Sequence, residues 1–451
     1  MSQSELLREA AERAIRYRET VGERPVVPTQ EALGALDRLG GPLPETSSDP
    51  LSTIELLDDV GSPGAVGTAG PRFFGFVLGG SLPVTVAASW LATAWDQNAW
   101  AATTAPAAVR TEEIALAWLL ELLGLPRCSG GAFVTGGTMA NFVALASARH
   151  AVLARLGYDV ERDGLAEAPP ISVAVGEEAH PSVFKSLALL GLGRDRAVRV
   201  PVDAQGRVRA EALPTLAQPA IVCVQAGNVN TGAFDPVAAV CQRAREVEAW
   251  VHVDGAFGLW AAASDSTAYL CQGIEDADSW ATDAHKWLNV PFDCGLAFVR
   301  DADALRAAMA TTAAYLVRDD DNRQPSDYVP ELSRRARGVE VWAAIRSLGR
   351  SGVADLVERT CRHARQFAEG LSAAGYSILN EVVLNQVLVS FGDPERTRRI
   401  VDAIQADGTC WCGPTVWQGQ TAMRISVSSW ATTDADVEAS LEAVIRLAAS
   451  V

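Results

Sequence analysis

Residues 278–295 read D-S-W-A-T-D-A-H-K-W-L-N-V-P-F-D-C-G. S-W-A-T-D at 279–283 is an apolar run ending in a carboxylate, and it predicts a buried strand. G-L-A-F-V at 295–299 predicts the next one. In the connection between them Lys286 lies behind His285 and ahead of Trp287. The chain holds only two lysines, Lys185 and Lys286, among 38 basic Lys and Arg residues. Arginine has been used almost everywhere that a cation was wanted. A lysine kept in an apolar stretch points to a need for the amine itself, which can lose its proton and form an imine where a guanidinium cannot.

Outward from this stretch, apolar strands alternate with helices. G-A-F-V at 131–134 leads through Gly136-Gly137-Thr138 into a helix. I-S-V-A-V at 171–175 leads through E-E-A-H-P-S-V to a helix over 182–190. A-I-V-C-V-Q-A at 220–226 leads through G-N-V-N-T-G to a helix over 236–248. W-V-H-V-D at 250–254 leads to G-A-F-G. This alternation predicts a mainly parallel, doubly wound α/β sheet covered on both faces. In such sheets ligands bind at the carboxyl ends of the strands, where almost every polar cluster just named falls.

The flanks are different. Residues 5–19 carry an amphipathic helix that needs another surface. Residues 40–71 are rich in Gly, Pro, Ser and Asp and read as a linker or wrapping segment. Residues 311–336 form a long polar stretch, expected to be a lid. Beyond it, helices near 338–349, 352–374, 396–406 and 433–449 and strands near 377–391 and 423–427 predict a smaller C-terminal α/β part. The organisation expected is therefore 1–70, an N-terminal helical or wrapping segment; 71–310, a large ligand-binding domain; 311–336, a mobile catalytic loop; and 337–451, a linking helix and small domain.

The formal net charge of −17 disfavours nucleic acid and anionic membranes as partners. No 18-residue apolar run is present, and the charged N-terminus lacks a signal-type apolar core, so a soluble cytoplasmic protein is expected. Eight scattered cysteines read as free thiols, and five histidines without H-x-x-x-H spacing leave no metal site expected.

Four strand ends supply complementary chemistry. The Gly136-Gly137-Thr138 turn opens a helix whose N–H groups could cradle a phosphate. His180 can present a flat imidazole. Asp254 ends an apolar strand and must be hydrogen-bonded or paired with a cation. Lys286 brings a solitary amine. Together these describe a site for pyridoxal 5′-phosphate. The amine attaches the cofactor, and the carboxylate keeps the ring nitrogen protonated so that the ring accepts electrons.

V-D-G-A-F at 253–257, H-K-W at 285–287, A-H-P-S-V at 179–183, the 32-residue gap from Asp254 to Lys286 and R-R-A-R-G-V-E-V-W at 334–342 resemble the pyridoxal-phosphate-dependent group II amino-acid decarboxylases, most of all the aromatic-L-amino-acid and tyrosine decarboxylases. The resemblance implies the fold type I of pyridoxal-phosphate-dependent transferases, with a large seven-stranded-type domain, a smaller C-terminal domain and a homodimer. It implies that Lys286 attaches the cofactor, Asp254 partners the ring nitrogen, Ala256 packs under the ring and His180 stacks on its other face. Gly137, Thr138 and His285 fall near the phosphate, and Asn228 at a further cofactor contact. Tyr315, 29 residues after Lys286, matches the loop tyrosine that returns a proton to Cα. Asp283 stands where relatives often carry Asn, and an ionised carboxylate cannot donate to phosphate. Arg337 and Arg424 are cationic candidates near the site.

The reading that follows is decarboxylation of an L-amino acid, aromatic by resemblance, to an amine and carbon dioxide. An aldehyde synthase or aminotransferase using the same cofactor is the first alternative, and a catalytically silent cofactor-binding dimer the second.

Overall fold

The computed structural model describes residues 2–311 and 323–451. The chain forms two compact units. The larger comprises residues 81–365 and 380–387. The smaller comprises 1–80, 366–379 and 388–451. By compactness, then, the N-terminal segment groups with the C-terminal residues, and the long helical stretch Gly338–Ala373, interrupted at Gly349, contributes to both.

The larger unit is built on seven strands among the described residues: β1 Gly130–Val134, β2 Ser172–Gly176, β3 Val198–Val200, β4 Ala220–Gln225, β5 Trp250–Asp254, β6 Ser279–Asp283 and β7 Gly295–Val299. Their order is β1-β7-β6-β5-β4-β2-β3. The run β3-β2-β4-β5-β6 is parallel, while β7 is antiparallel to both β6 and β1. β1 therefore runs with the parallel set, and six strands deliver their carboxyl ends to one edge. Every residue of β1, β4, β5, β6 and β7 is buried, as a sheet covered on both faces requires. Helix Gly137–Ala154 packs on this sheet, with Val143, Leu145, Val152 and Leu153 in a core shared with Val175, Ile221 and Trp250.

The smaller unit carries β8 Ser377–Ile378, β9 Gln386–Ser390 (which begins in the larger unit), β10 Gly413–Trp417 and β11 Gln420–Ser426, in the order β10-β11-β9-β8. Final helix Asp434–Ser450 starts at a Thr433/Asp436 capping box. Residues 50–64, read from sequence as linker, are instead a helix. Asp49 caps it by accepting from Ser52 N–H, and Pro50 takes the first turn, where its missing donor costs nothing. F-F-G-F at 73–76 is a packing motif here. Phe73 stacks on Trp411 at 4.9 Å, and a Cβ on Gly75 would meet that indole at 2.2 Å, so no residue but glycine fits. Trp90 and Trp95 are 43% exposed on helix Pro83–Trp95.

Candidate active site

β5 and β6 are neighbours in register, Asp254 opposite Ala281, and each ends in an aspartate. Asp254 is 4% exposed. Its Oδ2 accepts from Asn141 Nδ2 at 3.0 Å and from Ser182 Oγ at 3.5 Å, and its Oδ1 accepts from the Ala256 N–H at 3.2 Å. Among the described residues it makes no ion pair. Ser182 connects this carboxylate to His180: the Ser182 N–H donates to His180 Nδ1 at 3.2 Å, and its hydroxyl lies 2.8 Å from the same nitrogen. His180 itself is exposed, at the N-cap of helix Pro181–Leu189.

Asp283 ends β6 and is 1% exposed. Its Oδ2 lies 3.0 Å from Lys286 Nζ, while Oδ1 is buried without a hydrogen-bond partner among the described residues, 3.8 Å from His285 Nε2. His285 Nδ1 accepts from the Cys294 N–H at 3.1 Å, and burial holds the imidazole below its ordinary pKa. Trp287 anchors the turn, donating to Thr360 Oγ1 at 2.9 Å. The glycine turn closes over this cluster. A Cβ on Gly137 would lie 2.9 Å from Asp283 Oδ2, and one on Gly295 would lie 2.5 Å from Gly136 Cα. The opening of helix Gly137–Ala154 is thus a cradle that side chains would fill. Lys185, the other lysine, is exposed on its helix.

Asn228 is 2% exposed and engaged locally. Its Oδ1 accepts from the Asn230 and Thr231 N–H groups, and its Nδ2 donates to the Glu178 carbonyl at 3.2 Å. It thereby steadies the loop that carries His180. Thr138 offers its backbone carbonyl to Ser186 Oγ at 3.0 Å. Arg337 is paired with Asp293 at 2.9 Å. Arg424 lies on β11 in the smaller unit, where burial lowers its pKa. Tyr315 lies outside the described residues. Asn141, Ser182, His252 and Ser279 were not singled out from sequence. Their signal was present: a histidine between two valines in β5 and a serine opening β6 are polar groups in strands buried on both faces, and each needs a partner.

A family model described as the pyridoxal-dependent decarboxylase conserved domain matches residues 45–392. The chain belongs to that family. It is a pyridoxal-phosphate-dependent carboxy-lyase acting on an amino acid. Among its relatives, the aromatic-L-amino-acid decarboxylase of Bacillus atrophaeus is 28% identical over 365 residues, covering 78% of this chain and 73% of that one. The phenylacetaldehyde synthase of Arabidopsis thaliana is 26% identical, covering 92% and 89%. A crystal structure of Oryza sativa TDC with PLP and tryptamine superposes with a TM-score of 0.90 at 24% identity, covering 99% and 97%. That likeness shows the fold, the type I architecture.

The residues present fit the cofactor on the structure's own terms. A buried carboxylate with no cation among the described residues can take a protonated ring nitrogen, the half-buried Lys286 amine can take the carbonyl, and a side-chain-free helix opening can take a phosphate. Asp283 does not fit as a phosphate donor, and it pairs with Lys286 instead.

Proposed function

We propose that this carboxy-lyase converts an aromatic L-amino acid to its amine, with Lys286 as the cofactor-attaching amine and Asp254 as the partner of the ring nitrogen. The observation that carries the reading is Asp254, a buried carboxylate with three hydrogen-bond donors and no ion pair among the described residues. A buried charge is normally paired, and a cation supplied by the cofactor completes it. When bound, the cofactor supplies the electron sink for the charge left at Cα as carbon dioxide departs. Asp254 favours the protonated ring by about 1.5–3 kcal/mol, the scale of a charge-assisted hydrogen bond. Ala256, fixed by its N–H to Asp254, and His180, fixed by Ser182, would hold the ring between them. Gly137, Thr138 and His285 would hold the phosphate. Asn228 acts through the His180 loop. Tyr315 would be the residue that supplies the proton to Cα.

The aromatic preference rests on the relatives' names. So does the rival outcome, because one relative is an aldehyde synthase. A panel of amino acids separates them: amine with carbon dioxide supports decarboxylation alone, whereas aldehyde, ammonia and peroxide in oxygenated buffer mark the oxidative route. Tyr315→Phe should move the wild-type protein from the first outcome toward the second. Amine at the wild-type rate without peroxide would remove Tyr315 from the proton-donor role.

The functional unit is proposed to be a homodimer in the cytoplasm. Helix Gln3–Thr20 buries none of its residues within its own chain, and Leu7 and Ile15 on it are 62% and 46% exposed. A second copy would cover such a surface. The eight cysteines are all free, as a reducing compartment keeps them. No described helix is long and apolar enough to cross a membrane. Light scattering of the active enzyme should give twice the chain mass, and an active monomer would overturn the dimer.

A further inference from the structure

Behind Asp254 runs a line of buried side chains that the chemistry so far does not use. Asn141 Nδ2 donates to Asp254 Oδ2 at 3.0 Å. Asn141 Oδ1 lies 2.9 Å from His252 Nε2, His252 Nδ1 lies 3.0 Å from Ser279 Oγ, and Trp250 Nε1 donates to Ser279 Oγ at 2.8 Å. Asn141, His252 and Ser279 are wholly buried, and Trp250 is 2% exposed. Three adjacent elements supply the line: β5, β6 and the helix after the glycine turn.

The direction of every bond in it follows from what each group can do. An ionised Asp254 only accepts, so Asn141 must turn its NH₂ toward it and its oxygen toward His252. That oxygen only accepts, so His252 carries its proton on Nε2. Burial lowers the His252 pKa to about 4, so near neutral pH the ring is uncharged and Nδ1 must accept. The Ser279 hydroxyl therefore donates to Nδ1, and it accepts from Trp250, which can only donate. Every donor and every acceptor in the line is satisfied. If Asp254 took a proton and donated it to Asn141, the amide would have to flip, His252 would move its proton to Nδ1, and Ser279 would receive two donors. Its own proton would then have no acceptor in the line. Such stranding in a dry interior is costly. The other titratable groups facing this region reinforce the pattern. Cys223 is the register partner of His252 on β4, and burial with the nearby Asp254 charge keeps its thiol protonated.

We propose that His252, acting through Asn141 and backed by Ser279 and Trp250, is a positioning residue that holds Asp254 ionised and aimed at the cofactor's ring nitrogen. This rests on the reading of Asp254 as that nitrogen's partner. The relay acts on Asp254 from behind and touches no substrate.

Two measurements test it. First, ¹⁵N-histidine labelling of the cofactor-free wild-type protein, which has five histidines, needs no variant. His252 should show the neutral Nε2–H tautomer and should not titrate between pH 6 and 8, a range set well above its lowered pKa. An Nδ1–H tautomer, or a charged ring, would overturn the relay whatever the cofactor does. Second, cofactor dissociation constants and the absorbance band of the bound cofactor are compared in a cycle of His252→Phe and Asp254→Asn. His252→Phe should weaken binding by up to about tenfold, the scale of one lost hydrogen bond, and shift the band. His252→Gln, which keeps an N–H for Asn141, should recover part of both. In the Asp254→Asn background His252→Phe should have no further effect on binding. Equal effects in both backgrounds would show a merely structural histidine. An Asp254→Asn protein with unchanged affinity and band would instead overturn the ring-nitrogen reading, while the tautomer result would still stand or fall by itself.

Discussion

Asp254 and Asp283 end neighbouring parallel strands, both are buried, and both carry the same group. Their surroundings divide them. Asp254 has neutral donors and no cation among the described residues. Asp283 has the Lys286 ammonium at 3.0 Å and one oxygen with no hydrogen-bond partner among the described residues. The first is built for a cation that arrives with a ligand; the second holds a cation that the chain itself provides. A strand-end carboxylate in this fold therefore has no fixed role. The partner it lacks says more about its task than its position in the sheet does.

The comparison can be broken at several points. Replacing the amine should have the largest effect. Lys286→Ala is expected to cut turnover by at least about 10³-fold, since no other group can take over covalent attachment. Steady-state amine formation measures it, and a variant retaining a tenth of wild-type activity would place the attachment elsewhere. Asp254→Asn should bind cofactor yet lose on the order of 10²-fold in turnover, about 3 kcal/mol of transition-state stabilisation. Near-normal turnover would remove the distinction between the two aspartates.

A third carboxylate serves as the control. Asp235 is 6% exposed and accepts from the Val208 and Gln225 N–H groups, at 2.8 and 2.6 Å. Burial outweighs those bonds and pushes its pKa up to about 6. An unfolded aspartate titrates near about 3.9, so between these values the folded chain binds the proton more tightly than the unfolded one. The contribution to stability is therefore fully present below about pH 4 and is lost as pH rises through about 6, some ~3 kcal/mol in all. Thermal melts across that window should show a downward component with rising pH that Asp235→Asn removes. An unchanged pH profile in that variant would mean that burial without a relay does not neutralise a carboxylate here, and Asp254 would then need no special explanation.

The smallest effect belongs to Asp283. Asp283→Asn takes a negative charge away from the opening of helix Gly137–Ala154. It should tighten cofactor binding roughly fivefold, about 1 kcal/mol of relieved charge repulsion. Weaker binding would show that the Lys286 ion pair contributes more than the repulsion costs.

Much of this was legible in the sequence, for a physical reason. Strands buried on both faces are continuous apolar runs, so β1, β2 and β4–β7 stand out, and their polar ends mark the site: His180, Asp254, Lys286 and the Gly136-Gly137 turn. What escaped notice lacked that contrast. β3 is three residues, V-R-V, on the sheet's edge with two of them exposed. β10 alternates exposed and buried residues at the edge of the smaller sheet. Helix Pro50–Gly64 was hidden by its own cap and terminal residues, because Asp, Pro and Gly also mark loops. Asn141 looks like any polar residue on a helix until the fold brings Asp254 and His252 to either side of it. Pairings of that kind come from tertiary structure, and no local pattern encodes them.

Lys286, paired with Asp283 in the connection after β6, is the residue proposed to carry the cofactor. Borohydride reduction of the holoenzyme followed by peptide mass mapping tests it most directly, because only Lys185 and Lys286 can be labelled on a side chain. The account predicts a pyridoxyl group on the peptide containing Lys286 and none on the exposed Lys185. Label on Lys185, or none on either lysine after cofactor is supplied, would contradict it.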